Sequence, residues 1–400
     1  MRKRDAAKTR TRICRIDVPD VRQTFTYRLY PAHTQASALD TQVNEACRLY
    51  NAALEERRSA WRLNRISIRY LDQANQLKVI RANGDVGVAN FSACQDVLRR
   101  VDKTFAAFFR RVKAGEKAGY PRFRSRSRYD SLTWPSWGDG CSLRPSGRLY
   151  LQGVGELKVK WHRPLPAEAK VKTVTAKREA GRWFAFFSVE MSQPEPLPVS
   201  DLAIGVDVGL TTFAVLSDEA EIANPRHFRA SERRLRVAQR KLARRKKWSR
   251  RRQKARQEVA RLHIHVRNQR RDFHHRTARA LVKRYGLIAV EALNVRGLAG
   301  SILAKSVHDA GWSKFVRILS DKAACAGRSV IAVNPSGTTQ RCSGCGEHVH
   351  KNLAERWHRC PTCGLVLGRD LNAALNILRL AQGLGWSLQA QTVEVAHAVA

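Results

Sequence analysis

Four cysteines in the C-terminal part of the chain, Cys342, Cys345, Cys360 and Cys363, stand as C-x2-C-x14-C-x2-C. That spacing fits a four-thiolate zinc site. A glycine follows each pair (Gly346 and Gly364), and lets the chain turn tightly so that backbone N–H groups point at sulfur. Ordinary buried thiols and a disulfide are the competing readings. The paired spacing argues against the first, and a chain without secretory features against the second. Just beyond the last thiolate comes Asp370, at the head of a helix whose Leu371, Ala374, Leu375 and Leu378 make one apolar face, with Asn372 in the first turn. A carboxylate at this place suits a metal ion. On local grounds alone, a capping or dipole-complementing aspartate is the simpler reading.

Two more carboxylates change the balance. Asp207 interrupts the apolar strand of DLAIGVDVGLTTFAVLSD, with Ile204, Val206 and Val208 on the opposite face. A charge there is costly unless it is paired or metal-bound. Glu291 ends the short apolar run from Leu287 to Val290. Three acids on separate elements, divided by long insertions, suit a ribonuclease-H-like fold that assembles a two-metal site. Two divalent ions, Mg2+ with Mn2+ as a substitute, need several carboxylates to offset their charge.

The 400 residues hold 74 Lys+Arg against 34 Asp+Glu, a formal charge of +40, with 43% hydrophobic residues. Real cores are therefore expected, in two or three domains. So much self-repelling charge is most simply explained by a polyanionic partner. No apolar run reaches the length of a spanning helix. The basic start MRKRDAAKTRTR lacks the apolar stretch of a signal peptide. The other five cysteines (Cys14, Cys47, Cys94, Cys141, Cys325) are scattered, as in a reducing cytoplasm.

The elements that must position these groups follow in order. Residues 1–20 read as a loose lead-in, and Thr24–Pro31 as a strand. Helices are expected from Thr34, from Ile68 to Ile80, and from Ala89 to Val112, the last with Val97, Val101, Phe105 and Phe108 on one stripe. After a break at Ala114–Arg126, short alternating runs suggest a small barrel or curled antiparallel sheet, with REAGRW as a hairpin turn. Trp134, Trp137, Tyr150, Trp161 and Trp183 lie there among cations, so base stacking competes with core packing for each. Pro194–Val199 reads as a linker. Arg226–Arg284 reads as a long, arginine-rich helical hairpin whose seam carries Val259, Leu262, Val266, Phe273 and Ala280, with Gln269 and Thr277. Such arginine density argues for phosphate contact. The stretch from His308 to Gly327 reads as one amphipathic helix, with Trp312, Phe315, Leu319, Lys322 and Ala323 in period, and Arg328–Pro335 as a strand.

Taken together, IGVDVGLTTFAV, VEALNV and NPSGTTQRCSGCG…CPTCG…RDLNAALNI resemble the three nuclease segments and zinc ribbon of the TnpB family. These are RNA-guided DNA endonucleases of insertion-sequence transposons, related to miniature type V CRISPR effectors. YRLYP, RLYNAALEER and FAAFFRRVKAGEKAGYPRF resemble the front of the same family, so the resemblance runs from about Thr24 to Leu380. It implies an α+β multidomain chain. Residues 1–33 and 114–198 would form a β-barrel-like wedge domain and 34–113 a helical recognition domain. Residues 199–400 would form a RuvC-like nuclease domain, containing the basic insertion 226–284 and the zinc ribbon 338–366. It also implies Asp207, Glu291 and Asp370 as catalytic, magnesium-holding carboxylates, the four cysteines as ligands of a structural zinc, and a guide RNA and target double-stranded DNA as partners. A short motif beside the target would be read by the protein and the rest by base pairing. A cytoplasmic, nucleoid-associated bacterial or archaeal protein is expected, as a monomer, with a dimer as the alternative. Many relatives carry Asp-Arg-Asp where this chain has Gly368-Arg369-Asp370, which puts the shape of that loop in question. Two other functions are open at this stage: an RNA-guided or basic DNA-binding repressor without cleavage, and a DNA transposase, since similar acid sets serve strand transfer.

Overall fold

The computed structural model describes residues 21–84, 89–352 and 354–383. The expected lead-in at 1–20 and the end of the proposed nuclease region beyond 383 lie outside them. The chain divides into two compact units, Met1–Gln193 and Pro194–Ala400.

In the first unit, strand β1 (Val21–Tyr30) is followed by helices α1 (His33–Asn64), α2 (Tyr70–Ala82) and α3 (Phe91–Lys113). Strands β2 (Ser131–Trp134), β3 (Cys141–Leu143), β4 (Leu149–Leu151), β5 (Gly155–Lys160), β6 (Lys170–Glu179) and β7 (Arg182–Met191) complete it. All seven strands join one antiparallel sheet in the order β2-β6-β7-β1-β5-β4-β3. Of the two forms expected, this is the sheet, with β2 and β3 at its edges. The β6–β7 turn is the REAGRW hairpin. Ala180 and Gly181 both take positive φ, as a two-residue primed turn requires. Sheet and helices share one core. Trp134 (0% exposed) and Trp183 (5%) belong to it, so neither is free to stack on a base. Arg57 is also buried: its guanidinium donates to Gln73 Oε1 (2.9 Å) and Asp102 Oδ1 (3.0 Å), tying α1 to α2 and α3.

The second unit is built on a five-stranded mixed sheet. Its strands are β8 (Ala203–Val208), β9 (Thr212–Leu216), β10 (Glu221–Ala223), β11 (Leu287–Glu291) and β12 (Ser329–Val333), in the order β10-β9-β8-β11-β12. The first three form an antiparallel meander, and β8, β11 and β12 run parallel. Pro194–Val199 is no free linker along its length: Leu197 N–H donates to Ala326 O. Between β10 and β11 come α4 (His227–Ala243) and α5 (Arg250–Arg284), the long hairpin. Its seam differs from the expected one. Ala280 is exposed, and the buried positions are Ala255, Val266, His274, Thr277, Ala278, Leu281 and Val282. A single heptad seam fails because α5 changes neighbours. Its first part meets α4, while Ala278, Leu281 and Val282 join the core under the sheet.

The expected single helix at 308–327 is also corrected. Short helices α6 (Val295–Leu298) and α7 (Ala304–Ala310) precede α8 (Trp312–Cys325), and Gly311 separates the last two. Gly311 takes φ +67, ends α7 through its N–H to Val307 O, and starts α8 on a new axis. Hairpin β13 (Trp357–Arg359) and β14 (Val366–Gly368) leads into α9 (Arg369–Ala381).

Candidate active site and metal centre

Strands β8 and β11 bring the first two carboxylates together. Their parallel register pairs Val206 with Val290 and Gly205 with Ala289. One step further along lie Asp207 and Glu291. Alternation puts Val206 and Val290 on one face, where both are buried in the main core of this unit. Gly205, Asp207, Ala289 and Glu291 therefore share the other.

Helix α9 covers that second face. A Cβ built on Gly205 would sit 2.0 Å from Ala374 O and 2.9 Å from Leu378 N, so helix backbone lies directly on the strand there. From Ala374 back to Asp370 is about 6 Å along the helix. From Gly205 forward to Asp207 is about 6.6 Å along the strand. The contact at Gly205 thus sets Asp370 near Asp207, and the electrostatics agree. Asp207 is pushed well above the usual aspartate range, first by burial and then by the charges of Glu291 and Asp370, with Arg369 opposing. Glu291 is pushed up by burial and held back by a hydrogen bond from Thr338. That hydroxyl donates to Glu291 Oε1 at 2.5 Å. Asp370 accepts from Arg369 Nε at 3.1 Å.

A half-buried aspartate whose affinity for protons is raised by burial and by two neighbouring carboxylates is short of positive charge. This donor set, oxygen atoms only, fits hard divalent cations such as Mg2+. The carboxylates are more loosely gathered than the thiols: among the described residues, only the four cysteines draw a set of three or more metal-ligating atoms within 4.8 Å of one another.

The thiol site is built from two turns. Gly346 N–H donates to Cys342 O and Gly364 N–H to Cys360 O, and both glycines take positive φ (+83 and +72). Cys342 Sγ lies 3.6 Å from Cys363 Sγ, and Cys345 Sγ 3.5 Å from Cys360 Sγ. Zn–S bonds of about 2.3 Å give tetrahedral S···S edges of about 3.8 Å. Backbone N–H groups of Cys363 and Thr362 draw the Cys360 thiol down to about 6, while burial and the neighbouring thiols hold Cys345 and Cys363 up, so Cys360 is the thiol of these three poised to ionise first.

The two sites are tied through α9, on a face different from the expected one. The buried positions are Asn372, Ala373, Ala374, Asn376 and Ile377, while Leu371, Leu375 and Leu378 are only half-buried. The face is displaced because α9 packs two ways at once: Ile377 meets Ala289 and Val333 of the sheet, and the asparagines reach the ribbon. Asn372 accepts from Ser343 N–H (2.9 Å) and donates to Arg341 O (2.7 Å). Asn376 donates to Thr338 O and Arg341 O, both at 2.7 Å. Thr338 therefore touches Glu291 with its hydroxyl and α9 with its carbonyl. Sequence reasoning passed over Gly205, Thr338 and Asn376. The visible signal was a pair of asparagines at i, i+4 in an otherwise apolar helix. Gly368, the departure from the Asp-Arg-Asp pattern, is extended, pairs with Trp357, and has nothing within 4 Å of a built Cβ, so the loop does not depend on a glycine there.

Among the described residues no helix is long and apolar enough to cross a membrane. Residues 186–301 match the family model OrfB_IS605, described as "Probable transposase", and residues 312–377 match "Cas12f1-like, TNB domain". The chain is 34% identical to a "Putative RNA-guided DNA endonuclease" of Streptomyces pristinaespiralis, over 92% of this chain and 90% of that one. It is 30% identical to "Putative RNA-guided DNA endonuclease InsQ" of Escherichia coli K12, over 71% and 73%. In fold it resembles the Cas12f1 of a solved Cas12f1-sgRNA-target DNA complex, with TM-score 0.58, 13% identity, and 90% and 98% of the two chains covered. The mini-RNA-guided endonuclease CRISPR-Cas_phi3 is similar too, with TM-score 0.52, 8% identity, and 91% and 93% covered. The identity to these relatives, over nearly the whole chain, shows that it belongs to the TnpB (OrfB_IS605) family of putative RNA-guided DNA endonucleases, with a RuvC-like domain and a Cas12f-like fold.

Proposed function

We propose that this protein binds a guide RNA, reads a short motif beside the target, and hydrolyses DNA phosphodiesters at Asp207, Glu291 and Asp370. The observation that supports the reading is the convergence of these three carboxylates on the face of the sheet under α9, where Glu291 and Asp370 both raise the Asp207 carboxyl. Mg2+ ions held there would activate water and neutralise charge at the leaving oxygen. The protein's own groups hold the geometry. Thr338 fixes one oxygen of Glu291, Arg369 engages Asp370, and the zinc-held ribbon keeps α9 in place through Asn372 and Asn376. The seven-stranded sheet serves as the wedge, α1–α3 as the recognition lobe, and the α4–α5 hairpin as part of the grip on phosphates. The active form is a monomer, in the bacterial or archaeal nucleoid.

The first experiment is to express the chain with its native flanking DNA and sequence the RNA that copurifies. One structured RNA with a terminal guide supports the reading, whereas a random mixture of host RNA overturns it. Cleavage of the matching DNA is then lost in Asp207→Ala, Glu291→Ala and Asp370→Ala while RNA binding persists. Undiminished cutting by any one of them removes that residue from the site. Because the matched family model is described as a transposase, joined strand-transfer products in the same assay would favour that chemistry over hydrolysis.

A further inference from the structure

The tip of the α4–α5 hairpin presents a tryptophan to solvent in a turn built to hold it there. Trp248 is 99% exposed and has φ +69, a left-handed conformation that a bulky L-residue adopts only when its surroundings impose it. The surroundings are specific. Ser249 Oγ accepts from Arg252 N–H, capping α5, and donates to Lys246 O at 2.8 Å. The Arg252 guanidinium closes the turn from inside, donating to Leu242 O (3.0 Å) and Arg245 O (2.9 Å) at the end of α4. Lys241 and Glu258 pair across the hairpin at 2.8 Å. The indole itself makes no hydrogen bond or ring contact among the described residues. Lys246, Lys247, Arg250 and Arg251, all exposed, flank it, and none has an acidic partner there.

A large aromatic held away from any core costs apolar hydration and backbone strain together, which points to an absent partner. We infer that Trp248 is a stacking platform for an unpaired nucleobase, with the four flanking cations on the neighbouring phosphates. Every base offers a π-face, so such a contact tolerates any sequence. The cations alone would grip a duplex or a strand equally, and the indole adds preference for bases that are free to stack. A membrane surface fits less well, because interfacial helices bury a broad apolar face and here a single ring stands among cations. The inference deepens the nucleic-acid-binding reading above and rests on it.

The test uses full-length protein and two probes: an oligothymidylate and an abasic oligomer of the same length, titrated at several salt concentrations. Stacking of one base contributes about 1–3 kcal/mol. Trp248→Ala should therefore weaken oligothymidylate binding about fivefold to 150-fold, leave abasic binding unchanged, and leave the salt slope unchanged. Trp248→Phe should recover most of the loss and Trp248→Leu little. Lys246→Ala with Lys247→Ala should weaken both probes alike and flatten the slope. Oligouridylate in place of oligothymidylate distinguishes a preference for RNA from one for DNA. Equal oligothymidylate affinity in wild type and Trp248→Ala overturns this inference alone. Wild type that binds neither probe overturns the nucleic-acid reading with it. A Trp248→Ala loss confined to anionic phosphatidylserine vesicles would assign the tip to a membrane instead.

Discussion

The thiol site and the carboxylate site sit at two ends of one short segment, yet they are made in opposite ways. The four sulfurs come from two local turns 15 residues apart, and each turn is closed by its own backbone. Ligand spacing therefore follows from residue spacing. The three carboxylates come from β8, β11 and α9, and nothing local draws them together. They meet because a glycine lets a helix lie on a strand and because asparagines and a threonine hold the helix in register. A soft, closed site can be specified within about 20 residues of sequence, whereas an open, hard-cation site requires the whole topology. In this chain the first kind supports the second.

Removing the support should have the largest effect. Cys342→Ser with Cys345→Ser takes away two of four ligands and with them the ribbon that anchors Asn372 and Asn376. Cleavage should fall further than the roughly 10- to 100-fold that loss of an outer-shell partner costs, and the melting transition should broaden or split. Zinc content by metal analysis should fall in parallel. A variant that keeps wild-type melting and cutting would show the two sites to be independent.

Gly205→Ala attacks the other half of the comparison without touching a ligand. Its Cβ would meet helix backbone, Ala374 O, rather than a flexible side chain, so α9 must shift. Overpacking of this kind costs about 1–3 kcal/mol and sometimes more. The loss should appear in denaturant unfolding and in cleavage, with zinc retained. Unchanged unfolding would mean that α9 does not set the position of Asp370.

Asn376→Ala is milder. It strands the carbonyl of Thr338 in a buried place, at about 1–3 kcal/mol, and leaves Arg341 O with Asn372 as its donor. It should lower cleavage more than its stability loss accounts for, because Thr338 also orients Glu291. Equal losses in Asn376→Ala and in an unrelated core variant of matched stability would reduce Asn376 to packing.

These variants mark the line between what was legible in sequence and what was not. The cysteine pairs, the strands holding Asp207 and Glu291, the basic hairpin and the start of α9 were all readable, since each is a pattern within a few residues. The face of α9 was misassigned because Asn376 finds Thr338 38 residues away, and Thr338 finds Glu291 47 residues away. The seam of α5 was misassigned for the same reason: its neighbours change along its length. For Trp134 and Trp183 the choice between stacking and core packing stayed open in the sequence, because a strand's pattern does not say which face is covered; both belong to the core.

The smallest effect concerns charge alone. In protein stripped of divalent cations, Asp207 has its carboxyl pKa raised by burial and by Glu291 and Asp370. A raised carboxyl favours the protonated form in the fold. Its share of stability is therefore greatest below the unfolded aspartate value and is lost as pH rises through the folded one. Neutral pH lies well above the unfolded value, so a penalty is already present there. Asp207→Asn removes it, so the metal-free variant should melt slightly higher than wild type at pH 7, with the difference shrinking as pH falls. In a domain of this size each kcal/mol moves Tm by about 2–4 °C. Adding Mg2+ should raise the wild-type Tm and leave the variant nearly unmoved, since the ion is favoured by the same charges that oppose one another without it. A metal-free variant that melts lower than wild type would mean that Asp207 is held by a hydrogen bond that asparagine breaks, and the three carboxylates would then not be waiting for a cation.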